Sequence, residues 1–272
     1  MTYTHRSGLG LLATTLLFFC LLSSCTSNPP AVEQEPEPET EQPAITPNES
    51  WAAAVSSGSN IAAQYDSLAI RVAADGSYLQ GAANIAQRQD KMSIDTIFTI
   101  ASFPAGREGE FTYEIGGFRT TDGQDYRHLV IQSKKQSSGR QTYSVVRTFD
   151  WISKVHLGAL PDTSDLTSFR KLWIERCNAH NAYELVAQSY TPNALYYNHK
   201  PLVIGTEAIA EEYSYMNRPE YSLLLTPLAV EMVSTDLAFE IGQCAGSYSG
   251  KYVLVWQKNA EEVWQVLFDS NI

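Results

Sequence analysis

Glu114 and Glu240 stand in matching fragments, Tyr113-Glu114-Ile115-Gly116 and Phe239-Glu240-Ile241-Gly242. In a strand, successive side chains point to opposite faces, so Glu240 must lie on the face opposite Phe239 and Ile241. There it is either a solvated or interface charge, or a polar anchor in a concave pocket. In the second case Tyr196, Asn198 and Trp256 are the expected neighbours, and His199 and Tyr252 complete the candidate ligand-binding set. Such a set can hydrogen-bond and stack on a small molecule. Metal chemistry has no support: His128, His156, His180 and His199 are scattered without ligand spacing or an accompanying carboxylate cluster. No Gly-x-Ser-x-Gly elbow, phosphate loop or dinucleotide fingerprint is present. Ser56-Ser57-Gly58-Ser59 reads as a small polar turn. No cofactor, metal or catalytic residue is therefore assigned.

The elements that must position these residues occur twice. Gly81-Ala82-Ala83-Asn84-Ile85-Ala86 precedes the first glutamate fragment, and Gly205-Thr206-Glu207-Ala208-Ile209-Ala210 precedes the second. Upstream, the stretch from Ser59 to Tyr65 echoes that from His180 to Tyr190. Downstream, His128 to Lys134 echoes Tyr252 to Lys258. Four echoes in one order imply a duplicated unit of about 100 residues. The break falls between His156 and Asp165, at Gly158, Pro161 and Asp162.

The second copy predicts a helix from Ser164 or Asp165 to about Asn178, with Phe169, Leu172, Trp173 and Arg176 at helical spacing. Asn181 caps a short helix ending near Gln188. Short strands follow over Leu195 to Asn198 and Leu202 to Ile204, then a helix from Glu207 to about Tyr213. Four longer strands are expected over Tyr221 to Val233, Leu237 to Tyr248, Lys251 to Lys258 and Val263 to Asp269. Tyrosines are dense in this copy, whereas the first copy has Ala73, Ala74, Gly76, Ala82 and Ala83. The first copy is therefore expected to be the degenerate, structural one.

Asn178-Ala179-His180-Asn181, the run from Tyr190 to Tyr197, Gly205-Thr206-Glu207-Ala208-Ile209 and the closing Trp256-Gln257-Lys258 and Trp264-Gln265-Val266 together resemble the SnoaL-like, ketosteroid-isomerase-like superfamily. Its fold is the cone first described for nuclear transport factor 2. The resemblance covers Asp165 to Asp269 and reaches Glu49 to Trp151 only through the repeat. It implies an α+β fold of two tandem cone-shaped units. Each would pack about three N-terminal helices on a curved, mainly antiparallel sheet. A ketosteroid-isomerase-like site needs an aspartate base, a tyrosine and a protonated acid. Matched on Asn178-Ala179-His180, the base position falls at Asn198, the tyrosine near Trp173 and the second acid near Val253. An amide takes no proton near neutral pH, and Trp173 and Val253 cannot hold an oxyanion in that way. A shift of one residue offers His199 as a base with no acid beside it. The second unit is thus expected to lack that proton-transfer chemistry.

The N-terminal region speaks to location. Arg6 precedes an apolar run from Leu9 to Leu22, too short for a stable membrane span. Leu22-Ser23-Ser24-Cys25 resembles the lipobox of bacterial lipoproteins, so residues 1–24 read as a signal peptide and Cys25 as the lipidated residue. Residues 25–48 then form a disordered tether: six prolines from Pro29 to Pro47 alternate with Glu33, Glu35, Glu37, Glu39 and Glu41. Those five glutamates are almost half of the formal net charge of −11. The remainder is only mildly acidic and has no basic stripe, which excludes nucleic acid as a partner. Cys177 and Cys244 could close one disulfide, although two buried free thiols are the commoner outcome.

The expected organisation is a first unit over 49–157 and a second over 165–272, able to pack on each other as a dimer would. The protein reads as lipid-anchored in the bacterial cell envelope, with the outer membrane expected. It would bind a small molecule or a protein partner without catalysis. The competing reading is an enzyme of isomerase, dehydratase or hydrolase type with its site in the second cone.

Overall fold

Thr46 stops the proline-rich stretch and starts the first helix. Its hydroxyl oxygen accepts from the Glu49 backbone N–H at 3.2 Å, and the Glu49 carboxylate accepts from the Thr46 N–H at 2.7 Å. This reciprocal cap, with Pro47 in the first turn, sets α1 at Pro47–Ser57, and Gly58 ends it at φ 70°. Asn48, expected as the last residue of the tether, is instead a buried residue of α1. The computed structural model describes residues 44–73, 76–136, 143–156, 163–198 and 201–271. The expected signal peptide, Cys25 and His199 lie outside the described residues.

A 3-10 turn, Ile61–Gln64, leads to β1 (Tyr65–Val72), β2 (Tyr78–Gln80), α2 (Ala82–Arg88), β3 (Ile94–Ala105), β4 (Phe111–Thr120), β5 (Asp125–Gln136) and β6 (Tyr143–Lys154). The second half runs α3 (Ser164–Cys177), α4 (Ala182–Ser189), β7 (Tyr190–Tyr196), β8 (Val203–Ile204) and α5 (Thr206–Glu212). After a second 3-10 turn, Tyr213–Asn217, come β9 (Leu223–Met232), β10 (Leu237–Gly246), β11 (Gly250–Lys258) and β12 (Trp264–Asn271). Two six-stranded sheets result, ordered β2-β1-β6-β5-β4-β3 and β8-β7-β12-β11-β10-β9. All pairings are antiparallel except β1 with β6 and β7 with β12. Gly81 and Gly205 open α2 and α5 at φ 90° and φ 86°, a region that suits glycine.

Among the described residues, the first half has two α-helices rather than the expected three. Only four residues separate Asn60 from Tyr65, against eight between Asn181 and Tyr190, and four cannot close two α-turns. The strand expected at Leu195 starts at Tyr190, directly after α4, because its first residue already pairs with Val266 of β12.

Alternation decides what each sheet buries. Phe239, Ile241, Val253, Val255 and Phe268 form one apolar cluster with Ile115, Leu129, Ile131, Phe149 and Trp151 of the other half. Phe149 and Phe268 stack there with centroids 4.1 Å apart. The opposite face of the second sheet packs Ala238, Leu254, Trp256 and Val266 against Trp173, Leu185, Ile209 and Tyr213. With both faces covered, β10 is buried almost throughout its first eight residues. Ala44–Ile272 accordingly hold together as one compact unit. Among the described residues, no helix is long and apolar enough to cross a membrane.

Candidate functional site

Helix α3 presents Arg170 and Trp173, one turn apart, to the helix-covered face of the second sheet, and both are buried. The Trp173 indole N–H donates to Tyr190 Oη at 3.3 Å. The Tyr190 hydroxyl donates to Asp269 Oδ2 at 2.6 Å, and Tyr213 donates to the same oxygen at 2.5 Å. Tyr190 begins β7 and Asp269 lies on β12, so the parallel pairing of these strands brings them together. Tyr213 arrives from the 3-10 turn after α5. Burial pushes the Asp269 carboxyl up to about 6, although the two tyrosine hydrogen bonds pull it back in part. Among the described residues no cation pairs with it.

Asp269 lines a cavity with Trp173, Tyr213, Tyr221, Leu225 and Tyr252. About 20 Å³ of free space remains there, room for a single water. Tyr215, Tyr221 and Tyr248 line both this cavity and an outer vestibule of about 330 Å³ that also touches Arg218 and Glu220. Cys244 is on the inner wall. It and Cys177 are buried free thiols, each pushed up to about 12 by burial, so the disulfide reading is set aside.

Glu240 is neither solvated nor at the interface between the sheets. It is fully buried on the helix-covered face, where Arg170 grips both carboxylate oxygens at 2.7 Å. Tyr252 Oη donates at 2.7 Å and Trp256 Nε1 at 2.9 Å. A carboxylate bonded four times inside the protein is a strut that holds α3 on the sheet. Gly242 makes room for the Tyr252 ring, which a methyl group there would overlap. Of the residues expected from sequence, Glu240, Tyr252 and Trp256 thus form one group. Tyr196 and Asn198 form another: the Asn198 amide donates to Tyr196 Oη, which donates to Asn271 Oδ1, both at 3.2 Å. Tyr196 itself does not line the cavity but touches two residues that do, Asn271 through that hydrogen bond and Tyr213 by an edge contact at 5.1 Å.

Asp269 brings to this cavity a buried carboxyl that the match on Asn178-Ala179-His180 did not place. Val253, matched above to the second acid, faces the other sheet, so no acid could act from there. A signal for Asp269 was present. Phe149-Asp150 and Phe268-Asp269 recur on the closing strands, as a fifth echo after the other four.

The first half repeats the constellation with different partners. Trp51 donates to Tyr65 at 2.7 Å, and Tyr65 donates to Asp150 at 2.6 Å. Here Arg71 binds Asp150 at 2.9 and 2.8 Å, and Arg147 approaches at 3.3 Å while its guanidinium lies 3.9 Å over the Trp51 ring. Burial would raise the Asp150 pKa, but the charge of Arg71, its hydrogen bonds and the charge of Arg147 outweigh that and lower it. In strand register, Tyr196 takes the place of Arg71 and Val266 that of Arg147. Glu114 accepts from the Asn48 amide, at the position where Glu240 meets Arg170. His128 takes the place of Tyr252, and burial pushes its pKa down.

No protein-family model matches the chain, and no curated protein matches it. Among solved structures it is similar to an NTF-2 like protein of unknown function from Shewanella oneidensis, with 17% identity and a TM-score of 0.36 over 40% of this chain and 97% of that one. It is also similar to a second NTF-2 like protein, from Silicibacter pomeroyi, with 12% identity and a TM-score of 0.35 over 40% of this chain and 92% of that one. A third is a ketosteroid isomerase-like protein from Erwinia carotovora, with 17% identity and a TM-score of 0.35 over 42% and 98%. The solved structures to which this chain is similar thus include NTF2-like and ketosteroid isomerase-like proteins, and the likeness is one of fold.

Proposed function

We propose that this chain is an envelope lipoprotein, held to the outer membrane through lipid on Cys25, with two tandem cones of which the second binds a small organic molecule. The supporting observation is the difference between the cones. Both carry a Trp–Tyr–Asp line, but Asp150 is neutralised by two arginines, whereas the side-chain partners of Asp269 among the described residues are tyrosine hydroxyls, beside an aromatic cavity. The first cone is then the structural copy. The second is a site whose tyrosine wall must turn aside to admit a ligand. Binding without chemistry is favoured because the resting cavity is filled by aromatic rings and holds one carboxyl. The test is a thermal-shift screen of the full chain against small organic molecules. Binders should raise the melting temperature of the wild type and lose that effect in Trp173→Leu.

A proton-transfer enzyme of isomerase or dehydratase type is the second reading, favoured by a carboxyl that titrates at about 6 between two tyrosines. Enolisation of a model ketone by the wild type, lost in Asp269→Asn, would establish it in place of binding alone.

A further inference from the structure

We propose that the second cavity takes an organic cation, a guanidinium or alkylammonium head on a small apolar body, which pairs with Asp269 and lies against the Trp173 and tyrosine rings. This rests on the ligand-binding reading above and names the class of ligand. Three observations support it.

The first is the internal comparison. Where the first half has this same aspartate, the partner it accepts is a guanidinium, and Arg147 places that group over the face of Trp51 as well. Trp173 corresponds to Trp51, since each donates its indole N–H to the tyrosine that opens the neighbouring strand. The second half therefore keeps the carboxylate and the ring, and replaces both arginines by Val266 and Tyr196. The second is the lining. Ring faces carry negative electrostatic potential and attract cations, most strongly away from water. Tyr213, Tyr221 and Tyr252 join Trp173 around the carboxylate. The third is the cost of the charge. A buried carboxylate with hydroxyl partners alone is under-compensated, and a ligand cation relieves that directly. A neutral ligand gains only a hydrogen bond.

Access fits a cation on a longer body. Tyr215 sits on the 3-10 turn and is partly exposed, and Tyr248 lies on the loop joining β10 to β11. Once these two rings turn outward, the head reaches Asp269 and the body stays in the vestibule. Arg218 at that mouth repels a cation, but Glu220 beside it offsets the charge.

The experiment is calorimetric titration of the full chain at about pH 8, where Asp269 is ionised, with benzylguanidinium, benzyltrimethylammonium and benzyl alcohol. Both cations should bind at least roughly tenfold more tightly than the alcohol. Asp269→Asn should remove that preference while its own melting curve reports that it is folded. Tyr196→Arg gives a second arm: it returns a guanidinium to the place of Arg71 and should exclude both cations. If the alcohol binds as tightly as the cations, or if Asp269→Asn binds the cations unchanged, the cavity binds ligands but the cation assignment is wrong. Binding by none of the three overturns the assignment as well, and the wider screen then decides the ligand-binding reading separately.

Discussion

Asp150 and Asp269 occupy one register position in two sheets of the same strand order: Asp150 lies opposite Val130 on the central neighbour, and Asp269 opposite Leu254. Each accepts a hydrogen bond at 2.6 Å from a tyrosine at the start of the parallel neighbour, Tyr65 or Tyr190. Among the described residues, only Asp150 also meets a guanidinium. The two carboxyls consequently shift in opposite directions, Asp150 below and Asp269 above the ordinary aspartate value.

That difference sets a pH dependence. The Asp269 pKa rises from 3.8 to about 6 on folding, so the folded chain holds a proton that the unfolded chain has already released. Its contribution is fully present below about pH 4 and is lost as pH rises through about 6, costing about 3 kcal/mol at neutral pH. Asp269→Asn keeps an acceptor for both tyrosines and carries no charge. It should melt higher than the wild type above pH 7 and match it near pH 4. Melting curves that run parallel across this range would contradict the assignment.

Arg170 and Glu240 form a buried, two-pronged pair in which the carboxylate has no exposure to water. Arg170→Met leaves a buried carboxylate facing only Tyr252 and Trp256, and should lower the unfolding free energy by about 3–5 kcal/mol. Adding Glu240→Gln removes the stranded charge and should recover most of the loss. Urea denaturation of the three proteins decides it: equal stability of the single and double variants would mean that charge burial is not the cause.

Gly242 and Gly116 each lie beneath a ring, of Tyr252 and His128 respectively. Gly242→Ala should cost about 1–3 kcal/mol through overpacking. Combined with Tyr252→Leu, which withdraws the ring, the total should fall short of the sum of the separate losses. Strict additivity in a double-mutant cycle would show that the glycine serves some other purpose.

Cys25→Ser tests the anchor. The variant should appear as unprocessed or released protein in fractionated cells, while the wild type sediments with membranes. Undiminished membrane association after normal signal cleavage would remove the lipid from the account.

Much of the scaffold was legible because it depends on neighbours in the chain. Period-two alternation placed Glu240 away from Phe239 and Ile241, and the caps and glycines marked where helices begin and end. The same locality limited the site reading. A strand shows which residues share a face, but not whether that face meets water, a helix or another sheet. Glu240 was therefore compatible with a solvated charge until α3 supplied Arg170 from 70 residues away. Asp269 depended still more on long-range structure. Tyr190 precedes it by 79 residues and Tyr213 by 56, and the parallel β7–β12 pairing brings the first of them to it.

The sequence by itself determined the order of elements in the second half, the repeated glycine and glutamate positions, and the side of β10 on which its carboxylate lies, because turn chemistry and side-chain alternation act within a few residues. The tertiary structure alone decided which carboxylate is neutralised and which is left among tyrosines, because charge compensation and burial depend on what the folded chain brings within a few ångströms.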